Sequence, residues 1–472
     1  MLKIIFIKFS SDIIALFLAG TILMLLVSIS ACKKFVEIPQ PDNTLTSGQV
    51  FADDAAAASA ITGIYSGMMN SPSLPTSNLI TLYAGLSADE LYNYTTDARS
   101  EFVVNNITIT NHGTINSSFW NPFYRFIYAA NACIEGIDRS VSMSEAMKKR
   151  LKGEALFVRA FCHFYMVNLF GDVPLITTTD YTITATLPRT NSNEIYLRII
   201  EDLKEASKLM GDYPTTERVR PSKWVALALL ARVYLYTGQW QLAESTATEI
   251  MNSNSFSLLD NLDNVFLKGS NETIWQLRPV SPNQNTWEGN RILPASSTET
   301  PKYALTINLL NALTANDKRK MAWVGSRVFS GQTLYYPRKY KVVGNGAPLT
   351  EYYVVFRLAE IHLIRAEARA QQEMISESIA DLNKIRLRAG LTAVATTPPL
   401  IKNDLLLLIE QERRLELFSE WGHRWFDLKR TSRADAVLSA LKPATWQSTD
   451  VRWPVPVNQL TINPFLTQNE GY

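Results

Sequence analysis

The feature that most constrains this chain is a paired spacing of small and large apolar residues. Leu227, Leu230, Ala231 and Tyr234, then Gly238, then Ala243, Ala247 and Ile250 fit the helix–turn–helix template of the tetratricopeptide repeat position by position. Small alanines let two antiparallel helices approach, and Gly238 supplies the turn. A second, less regular copy runs through FRLAEIHLIRAEARA and ESIADLNKIRLRAGL, where Ala368 and Ala380 repeat the spacing of Ala231 and Ala243. Helical periodicity also predicts helices over 55–69, with Asp53 and Asp54 at the positive end, and over 118–137, 143–170 and 194–209. Gly171-Asp172-Val173-Pro174 stops the third of these, and Pro221 opens the helix that reaches Tyr236. Asn70 to Thr114 reads as loop-rich. So does 253–350, which is irregular and rich in Asn, Pro, Gly and aromatics. The expectation is a mostly α protein: one tetratricopeptide-like scaffold of helical pairs over 48–472, with a long loop insertion at about 253–350.

A chain of 472 residues, 46% apolar and 19% charged, can bury a large core. Its 46 basic residues against 44 acidic ones leave no excess to neutralise a phosphate backbone, so nucleic acid is not an expected partner.

The N-terminus predicts export. Lys3 and Lys8 precede an apolar run from Ile13 to Ala31 that ends Ile29-Ser30-Ala31-Cys32. This is the layout of a secretory signal over 1–31, and small residues before a cysteine resemble the bacterial lipobox. Cys32 would then carry diacylglycerol and begin a lipidated tether over 32–47 that contains Pro39, Pro41, Asp42 and Asn43. A plain transmembrane helix is the alternative, since the run is nearly long enough to span. Cys133 and Cys162 fall in helical patterns and read as buried free thiols, a single bridge being the alternative.

Catalytic motifs are mostly absent: there is no G-x-S-x-G elbow, phosphate loop, dinucleotide fingerprint or H-E-x-x-H. His112, His163, His362 and His423 are far apart, so neither metal nor cofactor is expected, and no catalytic residue is assigned. His163, inside an apolar helix, reads as a core histidine. Asp89-Glu90, bordered by tyrosines, is the one carboxylate pair that could serve a hydrolase, with loop capping as the alternative. Glu410 to Arg430 alternates acids and bases and reads as an ion-paired helix face, with Leu415, Phe418 and Trp421 packing inward.

Several stretches resemble one family in its order along the chain. They are the lipobox, GEALFVRAFCHFYMVNLFGDVPL, LPRTNSNEIYLRIIEDLKEA, ALALLARVYLYTGQW, ERRLELFSEWGHRWFDLKR and the ending NPFLTQNEGY. Together they look like the SusD/RagB family of outer-membrane nutrient-binding lipoproteins. The resemblance implies a lipid-anchored protein of the cell outer membrane facing the exterior. It would bind oligosaccharides, or in some members peptides, and deliver them to a SusC-like TonB-dependent outer-membrane transporter. Only Cys32 transfers residue by residue. Lys33-Lys34 is not the acidic run associated with surface export, so exposure rests on the resemblance alone.

Four functions follow: glycan capture, peptide capture, carboxylate-dependent glycoside hydrolysis, and a purely structural scaffold. Exposed aromatic planes beside polar side chains suit sugars. The two loop-rich stretches offer Tyr83, Asp89, Tyr92 and Tyr94 in the first, and Trp287, Asn290, Arg291 and Tyr303 in the second, with Tyr335 and Tyr336 further along. Trp287 leads, because polar residues surround its large ring in sequence; packing beneath its own loop is the alternative.

Overall fold

Side-chain caps set where some of the helices begin. Asp53 accepts a hydrogen bond from the Ala56 amide at 2.8 Å and starts α1 (Asp54–Met69). In the same way Ser144 caps α3 (Glu145–Phe170), which follows α2 (Asn121–Arg139). Next come α4 (Ser192–Leu209), α5 (Lys223–Tyr236) and α6 (Trp240–Asn252), then after the insertion α7 (Leu358–Gln371), α8 (Ile375–Arg388), α9 (Lys402–Leu417) and α10 (His423–Arg430). The computed structural model describes residues 13–22, 24, 47–95, 97–212, 217–296, 298–344, 346–398 and 400–472. Cys32 and nearly all of the 32–47 tether lie outside them. A helix over 13–22 carries exposed Ile13, Leu16 and Phe17. Among the described residues no helix is long and apolar enough to cross a membrane.

From Val50 to Tyr472 the chain forms one unit, and it is mostly helical. Each of α2 to α7 packs on its neighbour in sequence, so the helices form a continuous stack. Residues 253–352 leave this stack and return to it, because α6 and α7 touch directly across the insertion. The strands are short: β1 (Leu91–Asn93), β2 (Thr273–Leu277), β3 (Tyr303–Leu305), β4 (Val324–Phe329), β5 (Gln332–Pro337) and β6 (Tyr353–Arg357). They pair antiparallel as β1–β3, β2–β6 and β4–β5. The β2–β6 pair closes the base of the insertion.

The first repeat matches its sequence pattern. Ala231, Ala243 and Ala247 are fully buried, and Gly238 turns the chain at φ +70°. The second departs from it. Its turn residue is Glu373, at φ +63°, and Ala380 is exposed. Counting five residues on from each turn reaches Ala243 in one copy and Ser378 in the other. Ser378 is fully buried and donates to the Ala366 carbonyl at 2.6 Å. Both turns are three residues long, so the residue of the first helix that matches Ala231 is Ala366, not Ala368, and the small interface residue lies two positions earlier than Ala380.

Three further differences have local causes. Within 70–114 the chain is helical from Pro75 to Ser87, and every residue of that stretch is buried. The run Glu410–Arg430 breaks after Leu417, where Ser419, Trp421 and Gly422 take φ of +50°, +45° and +74°. Its charges also point inward rather than onto a solvated face. Arg413 donates to Asp427 at 2.8 Å, and Glu416 accepts from Arg357 at 2.6 Å, all four being buried. Leu415, Phe418 and Trp421 are buried, in line with the sequence pattern. Cys133 and Cys162 are buried free thiols, and burial pushes the imidazole of His163 down to about 3, leaving it uncharged.

Candidate functional site

Strand alternation decides which aromatics reach solvent. In β1, Leu91 and Asn93 are buried while Tyr92 is 50% exposed; Tyr94, just beyond, is 40% exposed. The opposite strand places Ala304 across from Tyr92 and Tyr303 across from Asn93. The rings of Tyr92 and Tyr94 meet edge to face, 5.3 Å apart at 74°. Asn93 organises the loop that follows. Its carbonyl oxygen accepts from the amide and hydroxyl of Thr95, and its amide donates to Asp97 and Ser100. The Arg99 side chain donates to Asp97 and holds that carboxyl well below the usual range.

The β4–β5 hairpin faces this loop. Phe329 pairs with Gln332 across a two-residue turn in which Ser330 and Gly331 both have positive φ, +47° and +79°. Between them lies a cleft of about 690 Å³. Tyr92, Tyr94 and Tyr335 supply rings, Leu305 and Leu310 apolar surface, and Asn93, Thr95, Ser100, Thr306, Gln332 and Thr333 neutral hydrogen-bonding groups. No lining residue carries a charge. Such a cleft can stack on a flat apolar face and bond hydroxyls, but it holds no acid–base pair.

A buried charge ties the cleft to the helical stack. The Thr306 hydroxyl donates to the Asp89 carbonyl at 2.6 Å, and the Asp89 carboxylate receives Arg424 and Arg414, each at 2.7 Å. Burial opposes ionisation of Asp89, yet the two guanidinium groups hold its carboxyl below the usual range. Its neighbour Glu90 is pushed up to about 8, by burial first and then by Asp89.

The two loop-rich stretches therefore do converge, but only part of the expected set faces the cleft. Tyr92, Tyr94 and Tyr335 line it. Tyr83 belongs to the core instead, packed edge to face on Phe102 and Phe119, because it sits on the buried helix Ile80–Ser87. Tyr303 is fully buried and does not line the cleft, and Tyr336 is buried too. Asp89 is a buried anchor, neither exposed nor a loop cap. Trp287, Asn290 and Arg291 sit on the short helix Trp287–Ile292 and fasten it: to the Met69 carbonyl at 2.8 Å, the Gly344 amide at 2.6 Å and the Pro72 carbonyl at 2.8 Å, respectively. None of these three lines the cleft. The sequence reading missed Asn93, Thr95, Gln332 and Thr333. A Ser-Gly pair between VF and QTLYY is a hairpin signal that could have found the last two.

Two family models match the chain in sequence. One, described as "Starch-binding associating with outer membrane", matches residues 41–235, and the other, described as "SusD family", matches 296–472. The chain belongs to the SusD/RagB family. SusD-like protein P25 of Formosa agariphila is 26% identical over 95% of this chain and 98% of its own. Among solved structures, a SusD-superfamily protein of Bacteroides vulgatus shares the fold with a TM-score of 0.77 at 19% identity, over 89% of this chain and all of that one. A laminarin-binding SusD-like protein shares it with a TM-score of 0.70 at 24% identity, over 89% and 99%. The SusD fold is thus the helical stack described above.

Proposed function

We propose that this SusD-family protein captures oligosaccharides in the cleft of Tyr92 and Tyr94 and passes them to a SusC-like TonB-dependent transporter. It acts at the outer membrane, from a lipid anchor on Cys32. The observation that carries the reading is the exposed edge-to-face tyrosine pair above an uncharged cleft. Sugars present apolar C–H faces and many hydroxyls, which rings and neutral amides or hydroxyls match without chemistry. The starch-binding description of the matched family and the laminarin-binding neighbour support a glycan ligand. Binding without hydrolysis fits Asp89 and Glu90, whose carboxyls are buried away from the cleft.

Titration of laminarin- and starch-derived oligosaccharides onto protein lacking residues 1–32 tests this. Tyr92→Ala with Tyr94→Ala should weaken the best ligand by about 1–3 kcal/mol per ring, taking base stacking on aromatics as the nearest analogue. The melting temperature should hold, because both rings are exposed. Equal affinity in the double variant and the parent would place the ligand elsewhere. The anchor is tested separately. Cys32→Ser should yield an unlipidated precursor or a soluble form, and a diacylglycerol mass on that variant would refute lipidation at Cys32.

A further inference from the structure

We infer that a second cleft, lined by other residues, binds a tetrahedral oxyanion such as a sulfate or phosphate group. It has a volume of about 400 Å³, near the lower end for small-ligand sites, and lies where the ends of α3, α5 and α10 meet the start of α4 and the segment around Arg452.

The charge balance of its walls is the argument. Arg430 is already neutralised, by Glu367 at 2.5 and 2.7 Å and by Asp427 at 2.7 Å. Lys429 and Arg452 are not. The Lys429 ammonium donates to the Asn168 carbonyl in the last turn of α3, and among the described residues it makes no ion pair with a carboxylate. Arg452, which is exposed, makes no side-chain hydrogen bond or ion pair among the described residues. Its stem is packed against Gly171, with Cδ 3.1 Å from where a Cβ would stand, which keeps the guanidinium at the cleft. Asp435 is the one carboxylate on the remaining wall, and one of its oxygens accepts the Trp446 indole at 2.9 Å. Two basic side chains thus face one partly engaged carboxylate. Ser432 and Ser448 add hydroxyls, and the Tyr236 hydroxyl is shut off from solvent without a partner. Burial, with Arg452 adding to it, lowers the Lys429 ammonium to about 7, a cost that a bound anion would relieve.

Calorimetric titration of sodium sulfate and sodium phosphate, against sodium chloride at matched ionic strength, tests the site. Sulfate or phosphate should bind the parent protein, and Arg452→Gln should weaken that binding about tenfold or more, as loss of a charge-assisted hydrogen bond requires. Arg452 has no partner to lose, so the variant should fold as the parent does. Tyr92→Ala should leave anion binding unchanged. Glucose 6-sulfate binding more tightly than inorganic sulfate would assign the anion to an acidic sugar; equal affinities would assign it to the free ion. No binding by the parent beyond the chloride control, or the same affinity in parent and Arg452→Gln, would overturn the assignment.

Discussion

Glu288 shows what burial does to a single carboxyl. It is buried within the insertion, where burial first and then Glu420 push it from the ordinary 4.5 up to about 8, against the hydrogen bond of Tyr353. Glu90 is raised to about 8 for a similar reason. In the unfolded chain both would ionise near the ordinary value. Between about 4.5 and 8 the native state therefore binds more protons than the unfolded state, and these two groups make stability fall as pH rises through that window. Glu416 and Glu420 act in the opposite sense. Against burial, Arg388 and Arg357 hold Glu416 down, and Arg357 and Lys339 hold Glu420 down, so their contribution is present above the unfolded value and lost as pH falls. A glutamine at 288 keeps the shape of the neutral acid and removes the titration. Relative to the parent, Glu288→Gln should gain on the order of 1–3 kcal/mol of stability between pH 5 and pH 8.5. Urea melts at the two pH values measure this directly, and a constant difference between variant and parent would contradict a neutral Glu288 in the native state.

At the scale of elements, what the sequence revealed divides along local and long-range lines. Ala231 and Ala243 were legible because a helical period and one glycine turn place both within a single helical pair. Ala380 misled because Ala366 and Ala368 are both small: Ala231 lies seven residues before its turn glycine, seven before Glu373 is Ala366, and the spacing counted from Ala366 reaches Ser378. The contrast yields a test. Ser378→Leu should overpack the pair of α7 and α8 and cost about 1–3 kcal/mol. Ala380→Leu, on the exposed side, should stay within about 0.5 kcal/mol. Equal costs in thermal melts would mean that the interface runs through neither position as described. The cleft was less legible for the same reason. Tyr83, Tyr92 and Tyr94 look alike in sequence, and the pairing of β1 with β3, more than two hundred residues later, leaves Tyr92 and Tyr94 exposed while Tyr83 is buried by its helix. Trp287 had polar sequence neighbours, yet those neighbours serve the short helix it belongs to, and its indole is spent on the end of α1.

For the whole molecule the question is whether residues 253–350 are a separate module or part of one core. Their aromatic rings find partners mainly outside the segment. Trp275 is fully buried edge to face against Phe157 and Phe161 of α3 at 5.0 and 5.6 Å, and stacks on Phe356 at 6.0 Å. Their buried charges do likewise. Glu272 receives Arg357 at 2.9 Å and Arg388 at 2.6 Å, and Arg319 donates to Glu412 of α9 at 2.6 Å. Removing one side of a buried pair leaves an uncompensated charge, typically worth 3–5 kcal/mol or so each. An excised 253–357 fragment, although it keeps Arg357, the Arg319–Asp317 pair and the β2–β6 pairing, would therefore expose Trp275, take Arg388 from Glu272 and take Glu412 and Glu416 from Arg319. It should show a coil-like circular dichroism spectrum and no cooperative melt. The protein from Val50 onward should by contrast unfold in one transition seen alike by far-ultraviolet dichroism and tryptophan fluorescence, since the insertion and the stack share their core. A fragment that melted cooperatively, or a full chain with two separated transitions, would show that the insertion holds itself together, and the Asp89 anchor would then be a docking contact between modules.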